Sequence, residues 1–369
     1  MSKDSSKRRI QKSKCFIVFW MMSLFLLAFS QTIIRSTRTN RPVINFTADI
    51  QFTYDDNIFL YSEKDLRDFE RSIQPSRFPF ETSDDFITTL TGNLRLRPRV
   101  LPQAVFRYRV HHYTVNPIKS YQVFSLNLEQ RISKPISFEA GYLFLPKYLI
   151  RYYKDPITKT SPPTYIGCSF TEHLYSARVN YNLTKPVDSR LGAVYKFEID
   201  DYARNFNYYD TRAHRFELSA GCSFNRQAIA LNGNVKYKIA SAQGPVPDIS
   251  YDQWAWMLTA RLVVAYANQA WHGVVLSWQR IILRLNYGQE KRDFITNNPS
   301  TIDPFHAGRV DKTQIFGVGM DFLFTRYVSV NLGYNFEKRD VSSPFREEID
   351  DIKDYTNNKI RLEFSFRRF

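Results

Sequence analysis

Residues 44–54, INFTADIQFTY, alternate apolar and polar side chains at every position. Because successive side chains of a β-strand point to opposite faces, this alternation predicts a strand with one apolar and one polar face. Residues 360–366, IRLEFSF, repeat the alternation near the other end of the chain. The first and last strands of the fold are therefore expected at these two segments.

Further segments with the same period of two lie between them, at 84–97, 102–113, 119–131, 135–150, 165–184, 189–201, 211–224, 227–240, 251–267, 271–287, 310–324 and 327–339. Together they predict an all-β chain, a single transmembrane antiparallel up-and-down β-barrel of about 14 strands over residues 43–369. Within 271–287 the apolar phase changes between Trp278 and Ile281. A β-bulge near Gln279–Arg280 would reconcile the two phases.

The connections between these segments alternate in length. Short ones lie at 98–101, 133–134, 185–188, 225–226, 268–270 and 325–326, and longer ones at 55–83, 114–118, 151–164, 202–210, 241–250, 288–309 and 340–354. Short periplasmic turns and longer outer loops are typical of barrels that span a bacterial outer membrane. Since lipid offers no hydrogen bonds to the backbone, the sheet is expected to close on itself. Tyr152–Tyr153 and Tyr208–Tyr209, beside strand ends, are expected in the aromatic belts at the lipid–water boundary.

The N-terminus carries the features of an export signal. Residues 1–14 are basic and polar, and residues 15–29 form an apolar run, CFIVFWMMSLFLLAF. With Ala28 and Ser30 as the small residues before a cleavage site, residues 1–30 are predicted to be a signal peptide and 31–42 a short periplasmic segment. The alternative is an uncleaved membrane anchor, but this apolar run is short for a hydrocarbon core of about 30 Å.

The formal net charge of +15, from 51 basic and 36 acidic residues, raises the possibility of nucleic-acid binding. Part of the basic excess lies within residues 1–14, and the remaining charges are spread singly along the chain. Phosphate binding requires a basic stripe or block, so no nucleic-acid partner is predicted. After removal of the signal peptide, Cys168 and Cys222 are predicted to be free thiols, because the strand order places them at opposite ends of the barrel.

The signal peptide, the alternating strands over 43–369 and the terminal Phe369 together resemble bacterial outer-membrane β-barrel proteins. The resemblance implies outer-membrane lipid as the surroundings and recognition of the C-terminal strand by the barrel-assembly machinery. Arg367 and Arg368 put Phe369 out of phase with Phe364 and Phe366, and a bulge in the last strand would restore the phase.

Tyr54-Asp55-Asp56-Asn57, at the end of the first strand, is similar to a tyrosine–aspartate–x–asparagine signature. This signature is associated with poorly characterised porin-like proteins, some of them linked to exopolysaccharide systems. The resemblance supplies no catalytic residue to carry over.

If the apolar phase of each strand faces lipid, the polar phase lines the interior. The charged candidates for the pore lining are Arg95, Arg97, Arg107, Arg109, Arg131, Arg178, Lys236, Lys238, Arg261, Arg284, Glu129 and Glu198. Because lining charge biases which ions enter, their basic excess predicts a porin-like channel for small hydrophilic solutes with a weak preference for anions. Arg95, Arg97, Arg107 and Arg109 flank one turn on adjacent strands. The alternative is that these charges pair across strands and leave little net field.

Two loops, 55–83 and 340–354, are rich in acidic residues. Carboxylates could bind Ca²⁺, but the loops lack the spacing of an EF-hand, so no metal site is predicted. Leu66, Phe69 and Ile73 have helical spacing, which predicts a short helix in the first loop, folded over the opening of the barrel.

No enzymatic activity and no cofactor are predicted, because no histidine lies in a G-x-S-x-G or H-E-x-x-H context. His111 and His112 are adjacent on a strand and point to opposite sides, so they cannot bind one metal. The competing function is a non-conducting barrel that acts in exopolysaccharide export, adhesion or outer-membrane scaffolding. The oligomeric state is left open.

Overall fold

The computed structural model describes most of the predicted barrel. The described residues are 43–98, 102–157, 160–183, 188–224, 228–244, 246–271, 274–324, 328–346 and 348–368. The predicted signal peptide (residues 1–30), the predicted periplasmic segment (31–42) and Phe369 lie outside them. Within the described ranges, no helix is both long and apolar enough to cross a membrane.

Fourteen antiparallel strands formed by the described residues close into one barrel. In chain order, β1 to β14 are Val43–Asp55, Asp85–Arg97, Gln103–Tyr113, Tyr121–Arg131, Ile136–Lys154, Tyr165–Leu183, Asp188–Tyr202, Thr211–Phe224, Ile229–Ala242, Tyr251–Trp271, Val274–Phe294, Val310–Leu323, Val328–Ser342 and Tyr355–Arg368. Each strand pairs with its neighbours along the chain, and β1 pairs with β14. The predicted fold class and strand number are confirmed.

The two faces of the barrel wall differ as the alternation predicts. Phe46, Leu90 and Leu218 on one face are 51%, 51% and 67% exposed, whereas Thr89 and Glu198 on the opposite face are buried. An apolar face that is exposed around a closed barrel suits contact with lipid, and closure leaves no unpaired strand edge there. The polar face encloses the interior of the barrel, which we call the lumen.

One predicted irregularity is present in the wall and another is absent. The pairing of β10 with β11 shifts between Val263 and Ala267, opposite Gln279 and Arg280, so the predicted bulge is confirmed. By contrast, β14 pairs with β1 and β13 in an unbroken register up to Arg368 and Phe366, respectively. The bulge predicted for the last strand is therefore wrong within the described residues. Phe369, whose phase this bulge was expected to restore, lies outside the described residues.

A further irregularity, which the sequence did not predict, lies between β5 and β6. Their register shifts between Leu145 and Tyr148 and again between Leu149 and Arg151. Pro146 lies at the first shift and has no N–H to donate to the ladder. Beyond the second shift, Arg151 pairs in register with Cys168.

The longer connections lie together at one end of the barrel, which we call the mouth. The first of them, residues 56–84 (loop 1), contains helix α1 (Glu63–Glu70) and a 3₁₀ turn at Pro75–Arg77. A second helix, α2 (Ile349–Lys353), lies before β14 and contacts α1. Further 3₁₀ turns are at Pro117–Lys119 and Arg204–Tyr209.

The helix predicted in loop 1 is confirmed in its main part. Ser62 caps α1 by accepting a hydrogen bond from the Asp65 amide at 3.1 Å. Leu66 and Phe69 pack against a buried cluster, as their spacing predicts, whereas Ile73 lies beyond the helix and is 44% exposed.

Loop 1 folds into the lumen and forms an apolar core there. Phe59 and Tyr61 of the loop are each 2% exposed. They cluster with Ile87 of β2 and Tyr113 of β3, which lie on the inward faces of those strands. Since the loop contacts inward-facing side chains, it occupies the lumen at the mouth.

Candidate functional site

The Tyr54-Asp55-Asp56-Asn57 motif fixes the point at which loop 1 turns inward. The Asn57 side chain accepts a hydrogen bond from the Tyr61 amide at 2.8 Å and donates to the carbonyls of Tyr61 (2.8 Å) and Thr356 (3.0 Å). Asp56 accepts from the amide and side chain of Asn358, both at 2.7 Å. The motif therefore joins the beginning of loop 1 to β14, the last strand.

Lys119 supports loop 1 from the neighbouring connection. Its ammonium donates to the carbonyls of Leu149 and Ile150 on β5, both at 2.8 Å, and lies 4.9 Å from the ring centres of Phe59 and Tyr148. Burial, together with the nearby Arg151 charge, lowers the pKa of Lys119 to about 7. Lys119 thus joins the end of β5 to the aromatic core of the loop.

Next to loop 1 lies a cavity of about 360 Å³, which we call the vestibule. Its basic lining residues are Lys119, Arg151, Arg292, Arg309, Arg339 and Lys353. Among the described residues that line it, Asp200 is the carboxylate. The volume falls within the range of about 300–1,000 Å³ that is usual for small-molecule sites.

The guanidinium groups of the vestibule lie over aromatic rings. Arg292 lies 4.4 Å from the ring centre of Tyr251, and Arg309 lies 4.5 Å from that of Phe294. Arg151 lies between two rings, 5.4 Å from Tyr61 and 5.6 Å from Tyr153. Such contacts fix the orientation of a planar guanidinium group without neutralising its positive charge. The rings therefore hold the positive charges in fixed positions.

Carboxylates just outside the cavity balance some of this charge. Arg309 forms a bidentate pair with Asp311, with both contacts at 2.6 Å, and Arg339 lies 3.9 Å from the same carboxylate. Asp65 of loop 1 pairs with Arg77 and lies 3.6 Å from Arg151. Asp311 is thus shared by two guanidinium groups, and so is Asp65.

Lys353, in α2, is a further basic residue of this group. Burial lowers its pKa well below the ordinary value, and the charges of Arg151, Arg309 and Arg339 lower that pKa further. Arg292 is paired with Glu290 at 3.3 Å. Because Arg151 and Arg339 share their carboxylates with Arg77 and Arg309, the guanidinium charge of the vestibule is only partly offset.

The pore-lining residues predicted from the sequence lie on the inward phase of their strands. None of them is among the described residues that line the vestibule, although Lys238 lies 5.5 Å from the ring centre of Tyr251, which does line it. Three of the predicted residues are paired: Lys238 contacts Glu198 at 2.6 Å, and Arg284 pairs with Asp321. Arg215 also contacts Glu198, at 2.9 Å. These residues therefore follow the alternative expectation, in which lining charges pair across neighbouring strands.

The other predicted lining residues fall into two sets. Four of them hydrogen-bond to uncharged groups: Arg97 and Glu129 to Gln103, Arg107 to Asn93, and Arg131 to carbonyls of its own turn. The remaining five are placed by strand register, with Arg95 opposite Val105, Arg109 opposite Thr91, Arg178 opposite Glu139, Lys236 opposite Glu217 and Arg261 opposite Arg284. Arg95, Arg97, Arg107 and Arg109 occupy neighbouring strands, as expected, but they do not line the vestibule.

Replacing Glu198 with glutamine is expected to destabilise the barrel by about 2–3 kcal/mol, because Lys238 and Arg215 would lose their shared carboxylate. The measurement is the denaturant concentration at which the folded, heat-modifiable band disappears in gel electrophoresis. Glu129→Gln is the matched control, since Glu129 is exposed and accepts one hydrogen bond from Gln103 at 3.0 Å. Equal stability of the two variants would contradict a structural role for the Glu198 pairs.

The six basic residues of the vestibule are not among the predicted lining residues. Arg309 and Lys353 lie in connections, where no alternation indicates the direction of a side chain. Lys119 begins a predicted strand that starts at Tyr121 in the structure, and Arg339 ends a predicted strand on the inward phase of Glu337. Arg151 and Arg292 lie beyond the predicted strand ends, because β5 continues to Lys154 and β11 to Phe294. A signal for β11 was available, since Glu290, Arg292 and Phe294 continue the inward phase of Arg284.

The aromatic belt expected at Tyr152–Tyr153 and Tyr208–Tyr209 is not formed by these residues. Tyr153 and Tyr209 line the vestibule, and Tyr152 contacts Phe80 of loop 1 with ring centres 5.4 Å apart. The prediction was wrong because the connections at the mouth fold inward, so aromatic residues at the strand ends pack against one another.

Cys168 and Cys222, and the adjacent His111 and His112, lie on the faces and at the ends of the barrel that the strand pattern predicts. Cys168, near the mouth, and Cys222, near the other end, are free thiols. His111 lies 2.9 Å from the Thr89 hydroxyl on the inward face, whereas His112 is exposed on the opposite face. In the described part of the chain, no group of three or more histidine, cysteine or acidic residues could hold a metal ion.

No family model and no curated protein sequence matches the chain. Solved structures with a similar fold include the outer membrane channel DcaP of Acinetobacter baumannii, with 10% identity over 91% of this chain and 100% of that chain and a TM-score of 0.48. An anion-selective porin from Comamonas acidovorans has 10% identity over 89% and 100% of the two chains, with a TM-score of 0.44. OmpT, an outer membrane protein of Vibrio cholerae, has 7% identity over 90% and 99%, with a TM-score of 0.45.

The location of the protein follows from its own wall. A closed antiparallel barrel with apolar side chains exposed around its outside is the architecture that spans bacterial outer membranes. The protein is an outer-membrane β-barrel.

Proposed function

We propose that the protein is an outer-membrane channel for small hydrophilic solutes that prefers anions. The observation that carries this proposal is the vestibule, where six basic side chains and one carboxylate line a cavity beside loop 1. Fixed positive charge at a narrow point raises the local concentration of anions and lowers that of cations. The proposal includes no catalytic step and no cofactor, and the C-terminal strand is the segment that the barrel-assembly machinery would recognise.

The source of the anion preference in this proposal differs from the one that the sequence favoured. Lys238 and Arg284, on the wall, are engaged with carboxylates, so they contribute little net field. At the mouth, by contrast, Arg339 shares Asp311 with Arg309, and Arg151 shares Asp65 with Arg77, so the positive charge of the vestibule is only partly offset. The field of this remaining charge would act on an ion in the vestibule at short range.

Reversal potentials of the refolded protein in planar bilayers, under a KCl gradient, test the proposal. Wild-type protein is expected to give a reversal potential of the sign that corresponds to chloride preference. The preference is expected to weaken as the salt concentration rises, because salt screens the lining charges. Cation preference at low salt would overturn the proposal.

A second candidate function, a non-conducting barrel in export, adhesion or scaffolding, is supported by the position of loop 1. Its Phe59 and Tyr61 fill part of the lumen at the mouth. In this case wild-type protein would insert into bilayers without current steps. Conductance of the wild-type protein therefore distinguishes the two functions.

A further inference from the structure

The basic residues of the vestibule act on one another electrostatically. The charges of Arg151, Arg309 and Arg339 all act on the Lys353 ammonium, and Arg339 donates to the Lys353 carbonyl at 3.1 and 2.9 Å. These four residues come from β5, the connection before β12, β13 and α2. Different parts of the fold thus bring like charges together, which costs free energy unless an anion is bound.

Several donors in this region are buried without a partner. Among the described residues, the Nε atoms of Arg151 and Arg292 and the hydroxyl of Tyr61 are buried and have no hydrogen-bond acceptor. A buried donor without an acceptor costs about 1–3 kcal/mol, so such groups call for a ligand. All three belong to the vestibule or to the loop beside it.

Asp65 lies beside Arg151 without a hydrogen bond between them. Its Oδ2 atom lies 3.6 Å from Arg151 Nη1, is buried, and accepts no hydrogen bond from the described residues. The pair is therefore an ion pair without the hydrogen bond that a closer oxyanion would form. Arg151 lines the cavity, and its Nε atom has no acceptor among the described residues.

The number of charges indicates the class of ligand. An anion with several oxygens can accept hydrogen bonds from Lys353 and from guanidinium groups of several strands at the same time, whereas a halide ion has one atom for all of these donors. Burial among like charges also disfavours the ammonium form of Lys353, and a bound anion would favour it. The cavity of about 360 Å³ is large enough for a small organic molecule.

We propose that the vestibule is a saturable binding site for a small organic anion with two or more negative charges, a polycarboxylate or a phosphate ester. Lys353, Arg151 and Arg339 would hold its oxygens, and Arg292, stacked on Tyr251, would contact its far side. The inference rests on the proposed function in placing the site on the path of the solute, but binding can be measured without any current.

Isothermal titration calorimetry of the refolded protein in detergent micelles tests the site, with citrate and glucose 6-phosphate as separate probes. Wild-type protein is expected to bind at least one of them at a single saturable site. The probe that binds identifies the carboxylate or the phosphate class. Acetate and methyl glucoside, which lack multiple charges, are expected to give no saturable heat.

Lys353→Gln is expected to weaken the binding by roughly tenfold, the effect of losing one charge-assisted hydrogen bond. The backbone carbonyl to which Arg339 donates stays in this variant. The matched control is Lys338→Gln, which removes the same charge from an exposed lysine on the outward face of β13 and is expected to bind as wild type does. Heat-modifiable gel mobility verifies that both variants are folded.

The site is overturned if wild-type protein binds neither probe, or if Lys353→Gln and Lys338→Gln bind with equal affinity. These outcomes are separate from failure of the channel function. A barrel that conducts chloride and binds neither probe retains the proposed function and loses the site. A barrel that binds citrate without conducting retains the site and loses the channel.

Discussion

Replacement of residues 58–82 by a short glycine–serine link is expected to raise the single-channel conductance several-fold. The replaced segment includes Phe59 and Tyr61, which fill the lumen at the mouth. The wall is unchanged, because Asp56 and Asn57, which contact β14, remain in the chain. Conductance is measured from current steps in planar bilayers at fixed salt and voltage.

Point variants of loop 1 distinguish two explanations of a higher conductance: removal of side chains that block the current, and loss of order in the loops at the mouth. Phe59→Ala and Tyr61→Ala are expected to raise the conductance by smaller amounts than the replacement. Ile73→Ala is the matched control, since Ile73 lies in the same loop but is 44% exposed. If the replacement leaves the conductance unchanged, loop 1 does not limit the current.

Arg292→Glu is expected to abolish or reverse the preference for anions. Arg292 lines the vestibule, and the change places a carboxylate beside Glu290, which now lies 3.3 Å from the Arg292 guanidinium. At short range, reversal of one charge changes the energy of a passing ion strongly. The measurement is the reversal potential under a KCl gradient.

The matched control for this change is Arg212→Glu. Arg212 lies near the mouth end of β8, but it is exposed on the outward face, so its charge is separated from the path of the ions by the wall. This variant is expected to keep the reversal potential of the wild-type protein. Equal shifts in the two variants would mean that the vestibule does not set the selectivity.

Much of the barrel could be predicted from the sequence, because a period of two is a local signal that every strand carries. The segments 44–54 and 360–366 were assigned to strands that the structure pairs with each other as β1 and β14. Even the irregularity near Gln279–Arg280 was visible, since it reverses the apolar phase.

The candidate site could not be predicted in the same way, because it depends on the paths of the connections. A loop that folds inward places Tyr153 and Tyr209 in the vestibule, although strand-end tyrosines are usual at the lipid boundary. Likewise, the sequence shows that Lys238 and Glu198 face inward, but their direct contact depends on the register of β7, β8 and β9. The direction of a side chain follows from the alternation within its own strand, whereas its partner depends on the register between strands.

The Asp56–Asn358 and Asn57–Thr356 contacts also connect the two ends of the barrel sequence. Their partners in β14 lie 302 and 299 positions away along the chain, and the pairing of β14 with β1 brings them next to loop 1. The same strand pairing that closes the wall therefore also places the residues that hold the beginning of loop 1.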